Sequence, residues 1–207
     1  MKKPLALFDF DGTITTQDSL AALICYVHGK HKYRSGLMYL APAIGMTLTG
    51  LWSRQKGKEE VLKYFFGGMS VSEFEGYCSR FVTDELPAIL RPKALSCLSK
   101  HQAAGHRVVV VSASPSRWVA LWGHAMGLEV IATELEVNKG QITGRIEGQN
   151  CQGLEKVTRI RQQLCLSDHR PIYAYGDTEG DLPMLELANF CYYRPFRRKA
   201  ADTFLTI

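Results

Sequence analysis

The sequence predicts an α/β fold, a doubly wound parallel sheet with a block of helices inserted after its first strand. Three short apolar runs end in small or acidic residues: ALFDFD at 6–11, RVVVVSAS at 107–114 and PIYAYGD at 171–177. Runs of β-branched and aromatic residues without alternation are typical of strands that are covered on both faces. Helical patterns lie between the later runs, so helix and strand alternate through the second half of the chain.

The remaining core elements follow from apolar periods and turn residues. Helices are predicted at 92–104, 117–126 and 154–164, the first two ending at a glycine, with a short helix at 182–187. A last strand is predicted at 190–193. Segments 135–138 and 141–145 are joined by Lys139 and Gly140, which predicts a hairpin that stands out from the core.

Residues 19–90 differ from the rest because they contain several helical periods, including 58–66 and 71–81, and no convincing strand. We therefore expect an α/β core formed by 1–18 and 91–207, with 19–90 inserted as a helical cap.

Segment 36–52 carries no charge over 17 residues. We interpret it as a buried helix pair of the cap. A surface that dips into lipid and a membrane span are the alternatives, the span being disfavoured by Pro42, Gly45 and Gly50.

Composition indicates an ordinary globular protein. The 207 residues are 46% hydrophobic and 22% charged, and the six cysteines form no CxxC pair. The first residues lead into a core strand rather than an apolar leader, so we expect reduced thiols and a cytoplasmic location, with the inner membrane surface as an alternative. The size, charge and cysteine count leave the oligomeric state open.

The net charge is +5, and basic residues cluster at 28–34, 54–58 and 194–199. We interpret these clusters as solvated surface, with attraction to phosphate esters or an anionic membrane as the alternative. The clusters carry no finger, helix-turn-helix or RNA-binding pattern, so we expect no nucleic-acid partner.

Two aspartates stand where the first strand should end. Asp9 and Asp11 are two residues apart, so their side chains can converge at the carboxyl edge of the sheet. Two carboxylates buried there need a cation. The sequence offers Lys156 and a hard divalent metal shared with the acids of GDTEGD, which are Asp177, Glu179 and Asp181. Taken singly, each acid could instead be a helix cap or a turn former.

These segments carry a resemblance to a known family. DFDGT at 9–13, the VVVVSAS strand with Ser112, GLEK at 153–156 and GDTEGD at 176–181 resemble, in this order, the motifs of haloacid dehalogenase-like phosphohydrolases. The resemblance implies a Rossmann-like core. A helical insertion between the first and second motifs is similar to the branch that includes phosphoserine phosphatase, with its C1-type cap.

The resemblance also implies a mechanism for hydrolysing a phosphate monoester. Asp9 would attack phosphorus to give an aspartyl-phosphate, and Asp11, with a pKa above that of Asp9, would act as general acid and then general base. Lys156, the Ser112 hydroxyl and nearby backbone N–H groups would bind the phosphoryl oxygens. The implied cofactor is Mg²⁺, held by Asp9, the Asp11 carbonyl and Asp177, with Asp181 as a further member of the metal site.

The remaining implied roles concern substrate choice. The residues placed in substrate binding are Gly12, Thr13, Asp18, Arg54, Ala113 and Ser114. Asp18 stands where the phosphoserine enzyme has a glutamate, Ala113 and Ser114 replace a glycine pair, and Arg54 is the nearest candidate for binding a substrate carboxylate. Phosphoserine is therefore disfavoured, and another small phosphorylated metabolite is expected.

Two other functions are weighed against this one. The uncharged segment and its basic flanks resemble lipid-directed members of the same branch, such as phosphatidylglycerophosphate phosphatase, so a lipid phosphate at a membrane surface is an alternative substrate. A non-catalytic receiver or binding module is the alternative from another class. A receiver places its lysine after its last acid, whereas Lys156 precedes Asp177, which argues against that class.

Overall fold

A computed structural model describes residues 2–197, and the expected α/β architecture is confirmed. Its sheet contains six strands within these residues, in the order β4-β3-β2-β1-β5-β6. The strands are β1 (Leu5–Phe8), β2 (Arg107–Pro115), β3 (Glu129–Asn138), β4 (Gln141–Glu147), β5 (Ile172–Gly176) and β6 (Phe190–Tyr193). All neighbouring pairs are parallel except β3 and β4.

Both faces of the sheet are buried, as the apolar runs predict. Leu5 and Leu7 of β1 pack into one hydrophobic cluster, whereas Ala6 and Phe8 pack into a second cluster on the opposite face. This alternation follows from the two-residue period of a strand. Helices cover both faces, so β1 lies at the centre of the protein with all four of its side chains fully buried.

Four helices follow in the core, close to their predicted positions. They are α6 (Pro92–Ala103), α7 (Ser116–Ala125), α8 (Leu154–Gln163) and α9 (Leu182–Leu185). The hairpin at 135–145 is also present, and its turn uses positive φ angles at Lys139 and Gly140. It does not stand out from the core, however. Its first strand begins at Glu129 and pairs with β2 before it pairs with β4, so the hairpin extends the sheet.

Five helices occupy the segment between β1 and α6. They are α1 (Ser19–Tyr39), α2 (Ala41–Leu48), α3 (Arg54–Phe66), α4 (Val71–Asp84) and α5 (Leu86–Ile89). Asp18, Ser53 and Ser70 cap α1, α3 and α4 through their side-chain oxygens. Helix α1 is bent at Gly29, whose φ of 80° and ψ of 155° are not helical.

The two connections to this helical segment run side by side. Thr16 N donates to Ile89 O, and Arg91 N donates to Ile14 O. The Arg91 side chain also donates from Nε to the carbonyls of Gly12 and Thr15. The chain therefore leaves and re-enters the core at one place.

The uncharged segment at 36–52 is not a buried helix pair, and that prediction was wrong. Helix α2 contains no buried residue, and Met38, Leu48 and Leu51 are exposed by 79, 82 and 77%. The segment contains enough apolar residues to be buried, but the core beneath it is already filled by α3 and α4 with Leu62, Phe65 and Phe74. Among the described residues, no helix is both long and apolar enough to cross a membrane.

Candidate active site

Three strand ends form one edge of the sheet. Phe8 of β1 lies opposite Val110 of β2 and Tyr175 of β5 in parallel register. Asp9 directly follows β1, and Asp177 directly follows β5. The topology therefore brings these two acids and the end of β2 together at the carboxyl edge, where open α/β sheets place their sites.

Lys156 is the cation that the buried acids require. Its Nζ donates to Asp9 Oδ1 at 2.6 Å, to Asp181 Oδ1 at 2.7 Å and to the carbonyl of Val111 at 2.8 Å. The side chain is only 1% exposed. Burial alone would lower the pKa of Lys156, but the charges of Asp9 and Asp181 outweigh it and raise the pKa above its usual value. Lys156 is therefore a buried, charged ammonium.

Asp11 is held by the start of the helical insertion. Its Oδ1 accepts from Ser19 N at 2.7 Å, and its Oδ2 accepts from Ser114 Oγ at 2.5 Å. A chain of side chains extends behind it, because Trp118 Nε1 donates to Ser19 Oγ and Ser19 Oγ donates to Ser114 Oγ. Only two of these residues, Asp11 and Ser114, are among the predicted site residues. Ser19 and Trp118 have no distinguishing sequence pattern.

The pKa values of both aspartates are raised. Burial raises the pKa of Asp9 to about 7, against the opposing effect of Lys156. Burial also raises the pKa of Asp11 to about 6, with Asp18 adding to the shift and its hydrogen bonds to Ser114 and Ser19 opposing it. The charges of Asp181 and Asp11 add to the upward shift of the Asp9 pKa. One ammonium does not fully compensate the negative charge around Asp9.

Asp181, predicted as a further member of the metal site, is held by Lys156 and by its own loop. Its Oδ1 accepts from Lys156, and its Oδ2 accepts from the backbone N–H groups of Asp177 and Thr178 and from the Thr178 hydroxyl. These bonds use both carboxylate oxygens. Asp181 therefore orients Lys156 and the loop that carries Asp177.

Asp177 is buried and lies against Gly12. A Cβ at Gly12 would come within 2.5 Å of Asp177 Oδ2, and Gly12 has a φ of +80°, so only glycine fits there. The Asp177 carboxylate also pairs with Arg197, and Arg194 Nε donates to the Asp177 carbonyl at 3.0 Å. The basic cluster at 194–199 is therefore not only solvated surface. Its last two residues, Arg198 and Lys199, lie outside the described residues.

The donor groups fit a hard divalent cation such as Mg²⁺. Within residues 2–197, no three His, Cys, Asp or Glu side chains form a metal cluster by themselves. Asp9 and Asp177 are buried carboxylates at this edge of the sheet, and Mg²⁺ commonly takes one or two carboxylates plus water and substrate oxygens.

A cavity of about 170 Å³ opens beside these groups. It is lined by Asp9, Asp11, Asp18, Lys58, Ala113, Ser114, Gln152, Lys156, Thr178 and Asp181. Ser112 lies behind this wall, fully buried, with its Oγ accepting from Ser114 N at 3.0 Å. Thr13 is also buried, and its Oγ1 has no hydrogen-bond partner among the described residues.

Lys58, rather than Arg54, reaches this cavity from the inserted helices. Arg54 lies at the exposed start of α3 and lines a separate cavity of about 440 Å³ with Gln149 and Glu179. Lys58 Nζ donates to the Ala113 carbonyl at 2.6 Å. Burial lowers the pKa of Lys58, while the charges of Asp18 and Asp11 oppose that shift.

The sequence contains a pattern that places Lys58 on the buried face of α3. Lys58, Leu62 and Phe65 follow the three- and four-residue spacing of one helix face, and Leu62 and Phe65 are buried. Position 58 therefore belongs to the core-facing side of α3, whereas the sequence interpretation treated it as part of a solvated cluster.

Replacing Lys156 by methionine should lower the free energy of unfolding by about 3–5 kcal/mol, because it leaves two buried carboxylates without their cation. Urea unfolding would measure the loss. Lys58→Met is the matched control and should cost only about 1 kcal/mol, since Lys58 forms no ion pair among the described residues. Equal losses in the two variants would contradict the assigned role of Lys156.

Comparisons with known proteins agree with this geometry. A family model described as haloacid dehalogenase-like hydrolase matches residues 6–186. Protein CicA of Caulobacter vibrioides (strain NA1000 / CB15N) is 35% identical over 201 residues, covering 95% of this chain and 88% of CicA. Histidinol-phosphatase of Neisseria meningitidis serogroup C (strain 8013) is 26% identical over 200 residues, covering 90% of this chain and 88% of that protein.

Two solved structures share the fold. A protein of unknown function from Bordetella pertussis Tohama I superposes with a TM-score of 0.81 at 27% identity, covering 92% of this chain and 89% of its own. A phosphoserine phosphatase with a phospho-aspartyl intermediate analogue gives a TM-score of 0.66 at 18% identity, covering 92% and 86%. The ordered motifs, the sheet and the family match lead to one conclusion: the chain belongs to the haloacid dehalogenase-like hydrolase family.

Proposed function

We propose that this hydrolase removes phosphate from a small phosphorylated metabolite through an aspartyl-phosphate formed on Asp9. The observation that carries the proposal is the pairing of Asp9 with the buried ammonium of Lys156, in a cavity that Asp11 also lines. The phosphatase names of the relatives support the reaction class. Phosphoryl transfer depends mainly on positioning and charge, and this cavity supplies both.

In the first step, an Asp9 carboxylate oxygen attacks phosphorus, and the bond between phosphorus and the ester oxygen breaks. Asp11 gives its proton to the departing oxygen, so the alcohol leaves neutral. The raised pKa of Asp11, about 6, keeps a useful fraction of the acid form near neutral pH. The bonds from Ser19 and Ser114 hold the Asp11 carboxyl in one orientation while it donates the proton.

In the second step, the Asp11 carboxylate takes a proton from water, and the water oxygen attacks phosphorus. The bond between phosphorus and Asp9 breaks, which releases inorganic phosphate and restores the Asp9 carboxylate. Lys156 stays charged throughout and offsets the negative charge that Asp9 and the phosphoryl group bring together. We assign phosphoryl binding to the Ser112 hydroxyl and to the backbone N–H groups of Gly12 and Ala113.

We infer that Mg²⁺ completes the site. Asp9, Asp177 and the Asp11 carbonyl would hold it, and bound there it would neutralise phosphate charge that Lys156 alone does not. Asp177 is available for this role only when Arg197 releases its carboxylate.

We also propose that residues 19–90 act as a cap over the core formed by 1–18 and 91–207. The paired connections at Thr16 and Arg91 support one joint between the two parts. Lys58 of α3 brings a cap side chain to the catalytic cavity, beside Asp18 at the end of the core segment. We assign Asp18 a role in substrate binding beside its capping bond to Ala21 N.

A lipid-like phosphate ester is the second candidate substrate, and one observation favours it. A cavity of about 300 Å³ shares Asp18 and Lys58 with the catalytic cavity and is otherwise lined mainly by Leu20, Ala21, Ile24, Tyr33, Leu37 and Val61. This lining suits the apolar part of an alcohol that leaves from the phosphate.

Asp9→Asn should lower the turnover of a generic aryl phosphate by about 10³-fold or more, since an amide cannot serve as the nucleophile. Steady-state rates and circular dichroism would be measured together. Asp168→Asn removes an exposed carboxylate far along the chain and should keep full activity. Retention of more than a few per cent of the rate in Asp9→Asn would remove Asp9 from the reaction.

Treatment with EDTA should abolish phosphatase activity, and added Mg²⁺ should restore it. Ca²⁺ should restore it poorly, because Ca²⁺ prefers more ligands and longer bonds than this donor set offers. The measurement is the rate after dialysis against each ion. Full activity in the presence of EDTA would rule out the metal requirement.

A series of n-alkyl phosphates of increasing length would distinguish the two candidate substrates. If the apolar cavity holds the leaving group, kcat/KM should rise about threefold per methylene until the cavity is filled. Leu37→Asn should flatten this dependence, while Leu121→Asn, on the far side of α7 from Val119, should leave it unchanged. Rates that do not depend on chain length would favour a small polar metabolite.

A further inference from the structure

An exposed apolar surface surrounds helix α2. Of the twelve large hydrophobic side chains that are exposed in the described residues, five lie between positions 38 and 51. We call this group the α2 surface, and it consists of Met38, Tyr39, Met46, Leu48 and Leu51. Helix α2 is eight residues long, which corresponds to about 12 Å. The side chains on and beside it are therefore separated by short distances along the helix axis.

The sequence segment that contains the α2 surface carries charges of one sign. Residues 19–58 contain six lysines and arginines and no aspartate or glutamate, so this fifth of the chain has a formal charge of +6, against +5 for the whole chain. Five of the six cations, which are Lys30, Lys32, Arg34, Arg54 and Lys56, have exposed side chains. None of these five forms an ion pair with another described residue.

Aromatic side chains lie between the apolar and the basic residues. Tyr39, 73% exposed, stacks on Tyr64 of α3 with 5.1 Å between the ring centroids. Trp52 is half-buried, and Lys56 Nζ lies 3.9 Å from the centre of its ring. Tyrosine and tryptophan favour the boundary between lipid headgroups and acyl chains.

We propose that the α2 surface docks the protein onto an anionic lipid bilayer, with Leu48 and Leu51 entering the headgroup region and the flanking lysines and arginines contacting acidic headgroups. Exposed apolar side chains within a wholly basic stretch are the combination that binds such an interface. If this surface faced only water, the exposed apolar side chains would have no explanation. If it bound an apolar protein, the positive charges without ion-pair partners would have none. The proposal concerns where the enzyme binds and does not depend on its substrate.

The surface also lies next to the proposed entry of an apolar leaving group. Leu37 lines the cavity that shares Asp18 and Lys58 with the catalytic cavity, and Met38 and Tyr39 follow it in the chain.

Vesicle co-sedimentation of the full-length protein tests the proposal. The protein should sediment with vesicles of phosphatidylcholine and phosphatidylglycerol at low salt, bind less at high salt, and bind little to pure phosphatidylcholine. Leu48→Asp with Leu51→Asp should weaken binding to the anionic vesicles by at least about tenfold. Lys30→Gln with Lys32→Gln should weaken it less and reduce the dependence on salt.

Leu154→Asp is the matched control, because Leu154 is 75% exposed but lies on the core helix α8. It should bind like the unchanged protein. Circular dichroism and activity on a soluble aryl phosphate would verify that the Leu48 and Leu51 variant is folded.

Three results would overturn the proposal: no sedimentation of the unchanged protein with anionic vesicles at low salt, equal loss in the Leu154 control, or full binding by the Leu48 and Leu51 variant. A stable dimer that this variant converts to monomers would also overturn it, since the occupant would then be a second copy of the chain.

Discussion

Lys156 places an ammonium, 1% exposed, between the carboxylates of Asp9 and Asp181, and the arrangement of the site depends on this contact. Isolated charges of this kind are costly to bury, so the lysine and its acids are stable only together. The same ammonium donates to the Val111 carbonyl of β2. One side chain thus links the end of β1, the middle of β2 and the loop after β5. Asp181 in turn accepts from the backbone N–H of Asp177, which fixes that residue as well.

The inserted helices are part of this site and not only a cover for it. The first residue of α1, Ser19, donates to Asp11, and Trp118 of α7 supports Ser19 from behind. Lys58 of α3 reaches the Ala113 carbonyl at the other side of the cavity. Movement of the inserted helices would therefore change the orientation of the acid and base, the charge in the cavity and the access to it at the same time. In our account, the cap and the reaction are coupled through these three contacts.

The sequence predicts the core of the site because local rules apply there. Asp9 and Asp177 follow apolar strands, and parallel strands must bring their carboxyl ends to one edge. Lys156 is predicted because buried acids need a cation. Other details are set by tertiary packing that a motif does not record: Lys58, rather than Arg54, lines the cavity, and Lys156 and Thr178 donate to the Asp181 carboxylate. The raised pKa values of Asp9 and Asp11 depend on burial, which tertiary packing also sets.

The fold predictions also succeed where the signal is local and fail where tertiary packing decides. The strands at 107–114 and 171–177 carry their signal in their own residues, and they form as expected. The long β3 pairs with β2 over one half and with β4 over the other, which no local pattern in 129–138 specifies. Segment 36–52 is apolar enough for a core, yet its burial depends on whether a partner face is available, and α3 and α4 already fill that space. Its exposure therefore becomes visible only in the folded chain.

The central claim is that Asp9, held by Lys156, carries the phosphoryl group during turnover. Quenching the enzyme during steady-state hydrolysis and reducing it with borohydride would convert an aspartyl-phosphate to homoserine, which mass spectrometry of the peptide that contains positions 5–15 can locate. Our account predicts homoserine at position 9 and an unchanged aspartate at position 11. Reduction at another carboxylate, or no reduction although the substrate is being hydrolysed, would contradict it.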